Sequence, residues 1–157
     1  MGTRKAWTRI YLRIKTYICR IPEGHFDFLG YTFGRCYSPK TGRAYLGTRP
    51  SKKSIKRLMD SIREQTDSSN SLLAADVFVE HLNRKLRGWA AYFKLGPVST
   101  AYAAVDAYTA SRLRRWLCHK HKVPGRGLKR YPSEYLYQGL GLVELSPLTR
   151  NFPWAKA

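Results

Sequence analysis

The chain has 157 residues, with 29 Lys and Arg against 10 Asp and Glu, for a formal net charge of +19. Hydrophobic residues make up 43% and aromatics 13%, which excludes the apolar-poor, high-charge profile of a disordered chain and leaves enough material for one core. Charge of this size attracts polyanions, so a polyphosphate partner leads the candidates.

Residues 1–22 contain no acid but carry Arg4, Lys5, Arg9, Arg13, Lys15 and Arg20, a pattern that imitates an organellar transit peptide. Met1-Gly2 opens a myristoylation pattern, yet Ala6 stands where that pattern wants Ser or Thr. There is no apolar core of a secretory signal and no run of about 18 apolar residues to span a bilayer, so no membrane partner is expected. Cys19, Cys36 and Cys118 are odd in number and widely spaced, which fits a reducing compartment better than a disulfide framework. Residues 10–21 fit two templates: Ile10, Leu12 and Ile14 alternate, while Trp7, Ile10, Tyr11, Ile14 and Ile18 follow helical spacing.

Residues 26–47 read as a β-hairpin. Phe28-Leu29-Gly30-Tyr31-Thr32-Phe33 is aromatic-rich with alternation, and Ser38-Pro39-Lys40-Thr41-Gly42 supplies turn chemistry before Ala44-Tyr45-Leu46. From Ser51 the period becomes helical. Ser51 reads as an N-cap, and Ile55, Leu58, Met59 and Ile62 form a stripe that runs out at Asp67-Ser68-Ser69-Asn70, which predicts a helix over 51–66. A second helix is expected over 72–94, before Gly96-Pro97. Its Phe78, Leu82, Leu86, Trp89 and Phe93 fall within a wedge of about 80°, well away from Arg84 and Arg87. A third is expected from a Ser99 cap to about Lys122, with Ala101, Val105, Tyr108 and Trp116 on one face. The last 35 residues, 123–157, have weak periodicity and read as a basic, partly ordered tail. The fold class expected is α+β, mainly α: a small antiparallel sheet, a three-helix bundle and an irregular tail.

Two blocks lack acids. One, between Asp27 and Asp60, holds eight bases, and the other, between Asp106 and Glu134, holds eight more; each is either a contact surface or an ordinary solvated face. Lys52 and Lys53 occupy the first helical turn, where the macrodipole disfavours cations by about 0.3–1 kcal/mol each. Free backbone N–H groups and two ammonium groups there would make a phosphate socket, the alternative being exposed lysines that tolerate the position. Arg112, amid the apolar face of the third helix, is expected either to pair with an acid such as Asp76 or Glu80 or to turn its head outward. Trp89 and Phe93 are expected in the core rather than stacked on bases. Gly88, costly in mid-helix, implies close approach of another backbone. Cys118-His119-Lys120-His121 lacks a second ligand pair at zinc-finger spacing, and no P-loop, nucleophile elbow or aspartate pair for catalytic Mg²⁺ occurs. No cofactor, metal or catalytic residue is expected.

Phe26-Asp27-Phe28-Leu29-Gly30-Tyr31, then Pro50-Ser51-Lys52-Lys53-Ser54-Ile55-Lys56-Arg57, then Leu82-Asn83 with Leu86-Arg87-Gly88-Trp89 and Tyr92-Phe93, resemble in order and spacing the C-terminal part of group II intron maturases. Lys15-Thr16-Tyr17-Ile18 resembles the strand before that family's Phe-Leu-Gly-Tyr segment, so the resemblance implies a strand at 15–21. It implies three parts: a remnant of the reverse-transcriptase palm at 1–48, a maturase-specific (X, or thumb) helical domain at 49–122, and the tail at 123–157. The family's Tyr-x-Asp-Asp polymerase motif and zinc-containing endonuclease domain have no counterpart here, so no enzyme is expected. The resemblance implies binding of structured group II intron RNA to assist folding and splicing, with Lys52, Lys53, Lys56, Arg57, Arg84, Arg87, Arg114 and Arg115 towards phosphates. The alternatives are the thumb of a split reverse transcriptase acting in trans on an upstream chain, or an inert truncated remnant. The expected location is the bacterial cytoplasm, with an organelle as the second choice.

Overall fold

The computed structural model describes residues 24–38 and 41–151. The strand expected at 15–21 lies outside the described residues. A three-stranded antiparallel sheet, β1 (Phe26–Phe28), β2 (Tyr31–Tyr37) and β3 (Ala44–Pro50), runs in the order β1-β2-β3. It leads into three helices, α1 (Lys52–Gln65), α2 (Ala75–Tyr92) and α3 (Ser99–Lys120). This is the α+β, mainly helical architecture the patterning implies.

The aromatic run that reads as one strand is in fact two strands and a turn. Phe28 pairs with Tyr31, and between them Leu29 (φ 49°) and Gly30 (φ 82°) both sit in the left-handed region, as a type I′ hairpin turn requires. The β2–β3 turn closes through Ser38 N–H to the Arg43 carbonyl (2.9 Å) and Gly42 N–H to the Ser38 carbonyl (2.8 Å).

α1 starts where its cap places it: the Ser51 hydroxyl accepts from the Ser54 N–H at 3.1 Å. Its end is closed by side chains, because the Thr66 hydroxyl donates to the Ile62 carbonyl (2.8 Å) and Asn70 Nδ2 to the Gln65 carbonyl (2.9 Å). α2 begins three residues later than periodicity predicts. Asp67 caps a 3₁₀ turn at Ser68–Asn70 instead, with Ser69 N–H and Oγ both bonded to Asp67 Oδ2, and Leu72 is left 94% exposed. At α3 the expected Ser99 cap is absent: Val98 is the cap residue, no side chain bonds the first turn, and burial of Val98 behind Pro97 fixes the entry of the chain.

The core lies between the helices. Leu58 and Ile62 of α1, Phe78, Val79, Leu82 and Leu86 of α2, and Val105, Leu113, Trp116 and Leu117 of α3 are buried. The Phe78 and Trp116 rings stack with their centroids 4.1 Å apart, 6° from parallel. α3 is buried on the broadest front, from Ala101 to Cys118, and so forms the centre of the bundle.

Residues 123–151, read from composition as a tail, are irregular but contribute to this core. They contain a π-helical turn (Tyr135–Gly139) and a 3₁₀ turn (Ser146–Asn151), and they bury Tyr131, Leu136, Leu142 and Leu145. Two polar residues of the bundle tie them down. Asn83 gives Nδ2 to the Gly141 carbonyl (2.8 Å) and accepts the Val143 N–H (2.7 Å), as a neighbouring strand would. The Asp106 carboxylate accepts from Leu145 N–H (2.9 Å), Ser146 N–H (2.8 Å) and the Ser146 hydroxyl (2.6 Å). Among the described residues, no helix is long and apolar enough to cross a membrane.

Candidate nucleic-acid interface

Among the described residues the sheet meets the bundle at a joint made largely from the three segments that carry the family resemblance. The Gly30 carbonyl accepts both the Ser51 N–H (2.9 Å) and the Ser54 hydroxyl (2.9 Å), so the β1–β2 turn sits on the first turn of α1. The Tyr31 hydroxyl donates to the Tyr92 carbonyl (2.6 Å), and the Tyr92 hydroxyl donates back to the Leu29 carbonyl (2.9 Å). Phe93 packs against Tyr31 at 5.1 Å. A Cβ on Gly30 would lie 2.8 Å from Ser54 Oγ and 2.9 Å from the Phe93 ring, so only glycine fits the turn. Gly96 closes the same joint from α2's far end, where a Cβ would fall 1.7 Å from the Thr48 carbonyl oxygen of β3.

This joint presents α1 with its N-terminal half free. Lys52, Lys53, Lys56 and Arg57 are all exposed within its first two turns, opposite the buried Ser54, Leu58 and Ile62. The helix terminus itself is less open than a bare phosphate socket, because Ser51 takes the Ser54 N–H and the Gly30 carbonyl approaches the same turn. What this end of α1 leaves open is therefore chiefly the four cationic side chains.

On α2, Arg84 and Arg87 are exposed, and Arg84 lies 3.4 Å from Glu80 one turn back. That contact is largely solvated and weak. Lys85 instead turns inward to the Ser61 hydroxyl of α1. On α3 the adjacent arginines divide. Arg114 is committed to structure, with Nε donating to the Tyr131 carbonyl (2.9 Å) and Nη2 to Ser133 Oγ (2.7 Å), whereas Arg115 is exposed. The eight cations thus lie on three separate helices, the four on α1 forming the densest group.

Two other expectations change. Gly88 is exposed, and a Cβ added there would meet nothing within 4 Å, so no backbone approaches it; the close approaches occur at Gly30 and Gly96. Arg112 makes no ion pair within 4.0 Å with Asp76 or Glu80: it caps α1, through Nε to Thr66 Oγ1 (2.8 Å) and Nη2 to the Arg63 carbonyl (3.1 Å), and its charge adds to the Ser69 and Ser68 hydrogen bonds that hold the Asp67 carboxyl below its usual range. Phe93 is in the core as expected, and Trp89 is partly buried against it at 4.9 Å. Cys118 is buried facing Gly127, while His119 and His121 are exposed; among the described residues no three His, Cys, Asp or Glu side chains cluster to hold a metal.

Of the eight cations named above, Arg84 alone has a carboxylate of the described residues within 4.0 Å, so little of the positive charge of this surface is paired there. Periodicity alone did not find Arg126, which projects from the loop after α3 beside Arg115; only its place in the second acid-free block hinted at it.

Fold and surface together define a basic helical-bundle domain docked on a hairpin sheet. Residues 55–132 match the family model of the group II intron, maturase-specific domain, and through that domain the chain belongs to the group II intron maturases. A comparison with curated proteins found no match.

Proposed function

We propose that the chain binds structured RNA, group II intron RNA first of all, and assists its folding and splicing while the RNA supplies the chemistry. One observation carries this reading: Lys52, Lys53, Lys56 and Arg57 stand exposed on the helix that leads into the matched maturase-specific domain, with no carboxylate of the described residues in ion-pair range. Such a surface suits a phosphate backbone, and its recognition would follow RNA shape more than base edges. The test is binding to intron RNA, tRNA and duplex DNA across a salt series. Contacts to six to ten phosphates would lower affinity by about 10³–10⁵ between 50 and 200 mM salt. Equal affinity for all three nucleic acids would sink the maturase reading and leave a polycation.

A second reading, a thumb working in trans with an upstream reverse-transcriptase chain, draws support from the sheet. Phe28, Leu29 and Leu46 are each more than half exposed there, apolar surface of the kind a protein partner covers. Co-purification with such a chain and reconstituted primer extension would support it; failure of both would remove it.

A further inference from the structure

A groove of about 250 Å³ opens between α3 and the loop that follows it, lined by Ser111, Arg114, Arg115, Gly125, Arg126 and Leu128. Its shape follows from two glycines. Gly127 (φ 69°) pins the loop to the helix, since a Cβ there would lie 2.4 Å from Cys118 Sγ. Gly125 (φ 83°) lets the chain arch away, with nothing within 4 Å. One wall is rigid because the Arg114 guanidinium is held by Tyr131 and Ser133. Arg115 and Arg126 are exposed and make no side-chain hydrogen bond or ion pair with the described residues.

Beside these cations Leu128 is 61% exposed. A duplex backbone would use the arginines and gain nothing from a leucine at the mouth. A flat apolar solute bearing a phosphate would use both, and guanidinium planes stack on such faces. We infer that this groove takes a single unpaired nucleotide extruded from structured RNA, its base against Leu128 and the Arg126 plane and its phosphate on Arg115. The inference rests on the RNA-binding reading above and adds to it a preference for helices interrupted by a bulge.

The experiment uses the full chain and three RNA hairpins: fully paired, with one unpaired nucleotide, and with an abasic residue at that position. The wild type should bind the bulged hairpin about tenfold more tightly than the paired one, and the abasic hairpin should lose most of that gain. Leu128→Ala and Arg126→Ala should erase the preference while affinity for the paired hairpin changes by about twofold or less for Leu128→Ala. Both side chains are exposed, so unchanged melting temperatures are expected to accompany the loss. Equal wild-type affinity for paired and bulged hairpins, or a preference that survives both substitutions, overturns the groove inference and leaves RNA binding standing. Absence of salt-sensitive binding to any hairpin overturns the RNA-binding reading itself.

Discussion

Arg112 of α3 donates to the hydroxyl of Thr66 at 2.8 Å, and that hydroxyl in turn donates to the Ile62 carbonyl, so one cation on the central helix finishes the last turn of another. A positive group at a helix C-terminus is favoured by the dipole, and the bonds to the Arg63 and Thr66 carbonyls satisfy acceptors that the helix cannot. Arg112→Ala should therefore lower stability by about 1–3 kcal/mol in urea unfolding. Asp76→Ala and Glu80→Ala should leave it almost unchanged, since neither acid lies in ion-pair range of Arg112.

The glycines divide by what lies opposite them. Gly88→Ala should stabilise the protein by about 0.5–1 kcal/mol, because an exposed mid-helix glycine contributes only chain entropy. Gly96→Ala should cost about 2–4 kcal/mol, combining a positive φ with a collision against Thr48. Thermal unfolding of the two variants should move in opposite directions; a stabilised Gly96→Ala would mean that the sheet does not press on this turn.

How much of this was legible in the sequence depends on the range of the interaction. Ser51 as a cap, the α1 stripe and the Phe78–Leu82–Leu86 face are local, repeating patterns, and each formed where its spacing placed it. The role of residues 123–151 was not legible, because Leu136, Leu142 and Leu145 share no period, and the segment is held at Gly141, Val143, Leu145 and Ser146 by Asn83 and Asp106, about 40 to 60 residues away. A glycine in a sequence announces freedom but not its neighbour, which is why Gly88 drew attention that belonged to Gly30 and Gly96. Side chains of equal charge are likewise indistinguishable on paper: nothing local separates Arg114, braced by Tyr131, from the exposed Arg115.

That separation gives a direct comparison. Arg114→Ala should lower stability by about 1–3 kcal/mol through the loss of its two bonds to residues 131 and 133. Arg115→Ala should stay within about 0.5 kcal/mol of the wild type. On the proposed RNA-binding reading, Arg115→Ala should weaken binding and reduce the salt slope by about one unit. If Arg115→Ala melts as early as Arg114→Ala, the division of labour between the two is wrong.

Asp106→Ala should loosen residues 141–151 from the bundle, since its carboxylate alone receives three hydrogen bonds from Leu145 and Ser146. The expected cost is about 1–3 kcal/mol, with cleavage by trypsin after Arg150 accelerated before any other site. Unchanged cleavage there would show that the buried leucines suffice to hold the segment.

Burial raises the pKa of the Tyr102 hydroxyl to about 12, in a site where its one proton is shared between the Ala90 and Phe93 carbonyls at 3.0 Å each. Its unfolded counterpart ionises near 10. The folded state holds the proton more tightly, so Tyr102's contribution is complete below pH 10 and is lost as pH rises from about 10 towards 12. Wild-type melting temperature should fall across that interval, and Tyr102→Phe, though less stable at pH 8, should fall less steeply. Parallel curves would assign the alkaline loss to other tyrosines.

The scarcity of ion pairs among the described residues has a bearing on handling as much as on recognition. Dissolved ions weaken any grip on a polyanion, yet they also shield the cations of this chain from one another, so added salt should raise the melting temperature while it releases the bound partner. Purity and robustness then favour the same buffer, and the protein is at its most fragile in the dilute conditions where it would hold nucleic acid best. On the proposed RNA-binding reading, a bound polyanion would take over the shielding that salt otherwise provides, and in low salt the partner would become part of what keeps the bundle folded.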